Sequence, residues 1–193
     1  AQRGCPGHRG DGSGMADPPV LQARHAFGLK GDVSSPISYG DEATTIYPCG
    51  HCVVLYNSEA KDQELIPGLP QTKGITALAV APSRKWLCVA EKGLETAQIG
   101  VYDVIHRKKK RVVQYQDIQT DTIVHMAFSH DGKYLLTQGS GPEWTLVLWA
   151  FDKKTVKPVG STRTSDGARS RVRMASFSPR DHGIIAASGD NGI

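Results

Sequence analysis

Two thiols and an imidazole lie together early in the chain, in the run Cys49-Gly50-His51-Cys52. This spacing is the dithiol pattern of disulfide isomerases, where the N-terminus of a helix lowers the pKa of the first thiol and makes its thiolate a nucleophile. Here the run leads into Val53 to Tyr56, an apolar and β-branched stretch that predicts a strand. Because no helix follows to supply the activating field, we expect a two-residue hairpin turn instead of a redox site.

A metal site is the alternative chemistry for the same side chains. Cys49, His51 and Cys52 would be joined by the distant Cys88, whereas structural zinc sites more often use two close pairs of ligands. No signal peptide accompanies the four cysteines, so we expect reduced thiols. Elsewhere no nucleophile stands in a recognisable motif, and Gly139-Ser140-Gly141 lacks the lysine and helix of a phosphate-binding loop. The sequence therefore predicts a protein that is not an enzyme, with no catalytic residue, cofactor or resident metal.

The strongest charge feature is a run of five basic residues: Arg107, Lys108, Lys109, Lys110 and Arg111. The chain has a net charge of +4 and would stand at −1 without this run, so its basicity is local. We expect a loop between two strands at the rim of the fold, either a solvated turn that discourages edge pairing or a site that binds acidic partners in a salt-sensitive way. These five residues are our candidate partner-binding site. Lysine and arginine are not interleaved with aromatics over one face, which argues against nucleic acid as the partner.

Other basic and aromatic side chains are expected to be structural. Arg169, Arg171 and Arg173 alternate with smaller residues and share a loop with Arg163, which indicates one solvent-facing side of a strand. We expect turn or surface positions for three histidines, His125, His130 and His182. We expect the tryptophans to be packing residues of the sheets and not a platform for a ligand: Trp86, Trp144 and Trp149.

Composition limits the class of fold that must position these groups. The 193 residues are 39% hydrophobic and 22% charged, which allows a core and argues against disorder throughout. The 21 glycines and 11 prolines favour short strands joined by tight turns over long helices. No stretch approaches eighteen uncharged apolar residues and no secretion signal opens the chain, so we expect a cytosolic or cytoskeletal protein with no membrane partner.

The sequence repeats itself. Segments that begin at Val80, Phe128 and Phe177 each join an apolar strand end, a polar turn and a second apolar strand, at offsets of 48 and 49 residues. Apolar runs that begin at Val53, Ile99 and Leu146 recur at offsets of 46 and 47 residues. Two independent landmarks with one period predict a repeat architecture.

Each period reads as four strands, predicted in one unit at Ile75 to Val80, Trp86 to Ala90, Ile99 to Val104 and Val112 to Tyr115. Four antiparallel strands in about 40–50 residues describe a propeller blade. The third strand closes on Tyr56, Tyr102 or Trp149, where WD repeats carry Trp-Asp. Only Tyr102-Asp103 keeps the Asp, and no Gly-His dipeptide precedes a first strand, so we expect degenerate WD repeats.

The predicted architecture is all-β, an incomplete WD-repeat β-propeller of about three and a half four-stranded blades at 24–193, after a disordered tail at 1–23. Units are expected near 25–70, 71–118 and 119–165, with a truncated one at 166–193. We expect the first unit to be partial, with His25 to Leu29 as an outer strand of a blade begun elsewhere. Since closed propellers usually have four to eight blades, we expect the opening portion of a larger ring.

Several of these segments together resemble one family. They include Ile46-Tyr47-Pro48-Cys49-Gly50, Leu78 to Glu91, Met126 to Ser129 and Gln138-Gly139-Ser140-Gly141-Pro142-Glu143-Trp144. The chain resembles the N-terminal propeller of cilia- and flagella-associated protein 57, an axonemal WD-repeat family, over nearly everything after Ala23.

This resemblance implies a non-catalytic scaffold in the cytoplasm and cytoskeleton, at the axoneme of cilia or flagella. It also implies a long protein with tandem propellers and a coiled coil, of the kind that helps hold inner dynein arms and their regulators on doublet microtubules. The implied partners are axonemal proteins, with acidic tubulin tails as the candidate for the basic run. The alternative is a WD-repeat binding module of a nuclear or ribonucleoprotein complex that uses the basic loop.

Overall fold

The computed structural model describes residues 24–106, 108–114, 120–152, 155–164 and 171–190. Within these ranges every helix or strand assigned is a β-strand. The predicted disordered tail at 1–23 lies outside the described residues, and so does the expected strand end at Tyr115. The part of the chain that the structure describes holds no helix long and apolar enough to cross a membrane.

The described strands form three sheets of four strands and one sheet of two, all antiparallel. Blade 1 contains β1 (Ser38–Tyr39), β2 (Thr44–Cys49), β3 (Cys52–Asn57) and β4 (Asp62–Pro67). Blade 2 contains β5 (Ile75–Val80), β6 (Trp86–Glu91), β7 (Gln98–Asp103) and β8 (Lys108–Val113). Blade 3 contains β9 (Ile123–Phe128), β10 (Tyr134–Gly139), β11 (Thr145–Phe151) and β12 (Val156–Arg163). Blade 4 contains β13 (Val172–Phe177) and β14 (Ile185–Gly189).

The first strands of successive blades lie side by side. β1 contacts β5, β5 contacts β9, and β9 contacts β13. A parallel bridge between Ser34 and Ala77 also joins the segment before β1 to blade 2. Each sheet runs in strand order from this inner strand to an outer one. The arrangement is that of consecutive propeller blades, which confirms the predicted fold class.

The core lies between the blades and uses both faces of each sheet. In β6, Leu87 and Val89 belong to the apolar cluster between blades 1 and 2, whereas Cys88 and Ala90 belong to the cluster between blades 2 and 3. Successive side chains of a strand point to opposite faces. A strand buried on both faces therefore needs an apolar residue at every position, which explains the continuous apolar runs in the sequence.

Two predictions about strands are wrong. Residues 25–29 form no strand. Isolated hydrogen bonds, and not a ladder, join this segment to blade 1: Ala26 N donates to Gln63 Oε1 at 2.8 Å, and Lys30 N donates to Pro48 O at 2.9 Å. Blade 1 is also not partial, since β1 to β4 make a complete four-stranded sheet, although β1 has only two residues.

Candidate functional site

The Cys-Gly-His-Cys run forms the predicted hairpin turn. Cys49 ends β2, Cys52 begins β3, and the two are directly paired across the sheet. Gly50 has a φ of 58°, a left-handed value at the first central position of a two-residue turn, where glycine is favoured. The thiols of Cys49 and Cys52 are half-buried and form no disulfide. With no helix in the described part of the chain, the feature that activates a thiol in disulfide isomerases is not present beside them.

The histidine of this run instead links two blades. His51 Nε2 lies 2.8 Å from Glu91 Oε2 and 2.7 Å from Thr72 Oγ1. Glu91 ends β6 and is fully buried, and its two carboxylate oxygens accept hydrogen bonds from Leu69 N at 3.0 and 2.9 Å. Thr72 Oγ1 donates a further bond to Glu91 at 2.5 Å. This Glu91 network was not predictable from the sequence, because its members meet only across the boundary between blades 1 and 2.

The fourth cysteine does not join the other two. Cys88 lies in β6 with no exposed surface, within the apolar cluster between blades 2 and 3. Burial raises the pKa of its thiol strongly, against a smaller opposite effect of the Arg111 charge. A buried neutral thiol behaves as a small apolar side chain. In the described residues, no group of three or more His, Cys, Asp or Glu side chains is placed to hold a metal ion.

Four residues of the basic run, Lys108 to Arg111, lie in a strand and not in the predicted loop. Lys108 begins β8, the outermost strand of blade 2, with Lys108 opposite Asp103 and Lys109 opposite Tyr102. The register shifts before Arg111, which faces Val101. Charged side chains are compatible with a strand here because an outer strand faces solvent, and lysine protects such an edge from unwanted pairing.

The basic edge, defined as Lys108, Lys109 and Arg111, is a row of cations on the rim of blade 2. Lys108 and Lys109 are exposed and have no salt bridge within the described part of the chain, while Arg111 is half-buried. The turn before it is fixed by Asp103, whose carboxylate accepts a bond from His106 N at 2.9 Å and lies 2.9 Å from His106 Nδ1. Arg107 lies outside the described residues.

The aromatic that closes the third strand packs between blades, as expected. Trp149 in β11 is 2% exposed and belongs to the cluster between blades 2 and 3. Its Nε1 donates to Thr137 Oγ1 in β10 at 2.9 Å, inside the core. Tyr102 takes the same place in blade 2, and burial raises its pKa to about 12, with a smaller effect from the nearby Glu91 charge.

The three histidines divide into one buried and two exposed residues. His130 and His182 are exposed, as predicted, and the ring of His182 stacks on Tyr134 with centroids 5.4 Å apart. His125 is not a surface residue, since it lies in β9 and is 5% exposed. Its Nδ1 accepts a hydrogen bond from Ala175 N of blade 4 at 3.4 Å. An inner strand contacted by both neighbouring blades leaves no solvent-facing side for the imidazole.

We expect the buried imidazole to make the fold sensitive to acid. Burial lowers the pKa of His125 below its ordinary 6.5, so the unfolded chain binds the proton more readily than the folded chain. The free energy of unfolding should then fall as the pH drops below 6.5, by up to about 1 kcal/mol at one pH unit lower. The test is urea unfolding of wild type and His125→Asn, which keeps an acceptor, at neutral pH and one unit below 6.5. Equal losses in the two proteins would contradict the role of His125.

Comparison with known proteins gives the chain its relatives. No family model matches it. Cilia- and flagella-associated protein 57 of Mus musculus is 34% identical over 172 residues, which cover 88% of this chain and 14% of the relative. Cilia- and flagella-associated protein 57 C of Tetrahymena thermophila is 26% identical over 180 residues, 89% of this chain and 14% of the relative. The chain is similar to cilia- and flagella-associated protein 57 over most of its own length and spans about one seventh of the length of these relatives. The resemblance inferred from the sequence is thereby confirmed.

Three other likenesses extend this result. Cilia- and flagella-associated protein 44 of Mus musculus is 25% identical over 173 residues, 90% of this chain and 9% of the relative. Among solved structures, hydrazine synthase of Kuenenia stuttgartiensis has a TM-score of 0.59 at 21% identity, covering 84% of this chain and 43% of that chain. The Dos1 propeller has a TM-score of 0.57 at 15% identity, covering 77% and 38%. These two structures support the propeller fold alone.

Proposed function

We propose that the chain is a non-catalytic scaffold of the ciliary or flagellar axoneme, which binds protein partners on a rigid propeller. Its relatives are cilia- and flagella-associated proteins. Three described blades are four-stranded sheets and the fourth is described with two strands; buried clusters hold the four together, with loops on their surface. Loops and edges held by such a scaffold are where binding residues collect. We propose that the units near 25–70, 71–118, 119–165 and 166–193 act as successive blades of this scaffold.

The basic edge is the proposed contact with the microtubule, and it is the single observation that carries the proposal. Lys108 and Lys109 project from an outer strand and form no salt bridge in the described part of the chain. Consecutive cations on a rigid edge attract an acidic, extended peptide, and the attraction weakens as salt screens it. The acidic tails of tubulin have this chemistry. We propose that the whole run, Arg107 to Arg111, contributes to the contact.

The finer part of the proposal concerns the cargo. A propeller that meets tubulin tails through the outer strand of one blade leaves its other blades and loops free for axonemal partners. We propose that these partners are components of the inner dynein arms or of their regulatory complex, which the scaffold helps anchor to doublet microtubules. The support is the resemblance to cilia- and flagella-associated protein 57.

Charge reversal on the basic edge should weaken microtubule binding. In a co-pelleting assay, Lys108→Glu plus Lys109→Glu is expected to raise the apparent Kd about tenfold, because two attractions become two repulsions at an exposed edge. Binding of wild type should also fall as salt is added and on microtubules whose acidic tails have been removed by limited proteolysis.

The matched control reverses two other exposed lysines, Lys85→Glu plus Lys157→Glu, which lie in a turn and on β12. This control changes the net charge equally and should leave pelleting close to wild type. An equal loss in both double variants would show that only net charge matters and would overturn the assignment to the basic edge. Strong binding of wild type to single-stranded RNA with none to microtubules would favour the nuclear or ribonucleoprotein alternative instead.

A further inference from the structure

A cavity of about 730 Å³ opens where the inner strands begin, away from the basic edge. β5 reaches it at Ile75, β9 at Ile123 and β13 at Val172, and the segment before β1 adds Val33. All four of these side chains are apolar and buried, and they form the floor of the cavity. Three blades and the segment before blade 1 thus converge on one opening.

Basic side chains surround this floor. The cavity is lined by five of them: Lys30, Lys73, Lys92, Arg171 and Arg173. Among the described residues that line it, Asp32 is the one acidic side chain. We call this opening, with its apolar floor and basic lining, the cationic mouth.

Three of the cations are already paired. Lys30 lies 2.5 Å from Asp32, Lys92 lies 3.0 Å from Asp121, and Arg173 bonds to Asp190. The remaining two, Lys73 and Arg171, are exposed and have no salt bridge within the described part of the chain. The five cations therefore outnumber the three paired carboxylates of Asp32, Asp121 and Asp190 by two, with Lys73 at the start of blade 2 and Arg171 at the start of blade 4.

Hydrogen bonds order the backbone at both of these residues. Lys73 N donates to Lys92 O at 2.8 Å, and Lys92 N donates to Gly74 O at 2.9 Å. In blade 4, Asp190 N donates to Arg171 O at 3.0 Å. The field of the arginines also acts on Asp190, whose pKa is lowered chiefly by its hydrogen bond from Arg173 and further by the charge of Arg171. Because the backbone is already ordered, the entropy cost of binding here is limited to the ordering of the two side chains.

We propose that the cationic mouth binds an acidic peptide segment of a partner protein, with carboxylates at Lys73 and Arg171 and an apolar side chain over the floor between them. The observation that points to a peptide is the combination of an apolar floor with two separated cations that form no salt bridge in the described part of the chain, since a segment in which acidic and apolar residues alternate satisfies both. A small anion would use the charge alone and leave the floor uncovered. This site is separate from the basic edge and does not depend on microtubule binding.

The test is fluorescence anisotropy with the full chain and a labelled peptide that has glutamates on both sides of a central leucine. Wild type is expected to bind, and Lys73→Glu plus Arg171→Glu should raise the Kd about tenfold or more. Changing the central leucine to serine should weaken binding to wild type several-fold, because the floor then loses an apolar contact. Lys85→Glu plus Lys157→Glu is the matched control, with the same change in net charge, and should bind the peptide as wild type does. Lys108→Glu plus Lys109→Glu should lose less affinity for the peptide than the mouth variant does.

Several results would overturn the proposal. They are no binding by wild type, unchanged binding by the mouth variant, or a larger loss in the basic-edge variant than in the mouth variant. Equal affinity for the leucine and serine peptides would reduce the site to a nonspecific anion site and also count against it. Tighter binding to vesicles of anionic lipid than to the peptide would assign the mouth to a membrane surface. If the charge-reversed mouth variant does not fold by circular dichroism, Lys73→Gln plus Arg171→Gln replaces it, with a smaller loss of affinity expected.

Discussion

Replacing Trp149 with alanine is expected to lower the free energy of unfolding by about 3–5 kcal/mol. The indole is 2% exposed and fills the cluster between blades 2 and 3. Its removal leaves a cavity between two sheets whose backbones are held by their own ladders and close only in part. The measurement is urea unfolding followed by circular dichroism, and thermal unfolding should show a decrease in Tm of about 10 °C.

Two variants separate packing from hydrogen bonding at this position. Trp149→Phe keeps part of the ring volume, and Thr137→Val removes the acceptor of the Nε1 bond. The second change should cost about 1–3 kcal/mol, because the buried indole N–H loses this acceptor. Val159→Ala, on the exposed face of β12, is the control and should change stability by less than about 0.5 kcal/mol. A loss no larger for Trp149→Ala than for this control would refute the packing role.

Replacing Glu91 with alanine is the second change with a large expected effect, a loss of about 3 kcal/mol. The carboxylate is fully buried and accepts bonds from Leu69 N and Thr72 Oγ1, with His51 Nε2 at 2.8 Å. Alanine would leave the Leu69 amide without its acceptor at the boundary between two blades. Such an unsatisfied buried group costs more than the bond itself contributed. Chemical unfolding of the variant measures the loss.

A second variant, Glu91→Gln, separates the charge of the carboxylate from its hydrogen bonds. Glu91→Gln keeps an oxygen for Leu69 N and removes the charge, so we expect about half the loss seen with alanine. Glu95→Ala removes an exposed carboxylate from the loop that follows β6 and should be nearly neutral. If Glu91→Ala and Glu95→Ala have the same stability, the network does not hold the two blades together.

The strands buried on both faces were predictable from the sequence. The segment Ile75 to Val80 was predicted as a strand and is β5, and Trp86 to Ala90 is β6 with one residue added. These strands are visible because neighbouring blades cover both of their faces, so apolar residues follow one another without interruption. The repeat of this pattern was enough to predict the propeller, since strand order follows chain order within each blade.

The outer strand of blade 2 was not predictable in the same way. The sequence predicts a fourth strand that begins at Val112, whereas β8 begins at Lys108. An outer strand faces solvent, so nothing in its side chains requires an apolar pattern, and four consecutive basic residues look like a turn. Its strand character comes from backbone bonds to β7, which depend on a tertiary neighbour and leave no mark in the local sequence.

The contacts between blades were hidden for a different reason. The Glu91 network joins His51, Leu69 and Thr72 from blade 1 or the loop after it to a residue of blade 2. The cationic mouth likewise combines Lys73 with Arg171, which are far apart in the chain. A single sequence shows the period of the repeat but not which side chains the curvature of the ring brings together.

The alternation of faces in the inner and middle strands has a consequence for how such a chain can change over time. Along β11, Leu146 and Leu148 serve the boundary with blade 4, while Val147 and Trp149 serve the boundary with blade 2. Adding or deleting a single residue within that strand would exchange the two sets, so that each boundary receives side chains shaped for the other. Length variation is therefore confined to the connections between strands, and the chain can acquire new partners there without altering the frame that carries them.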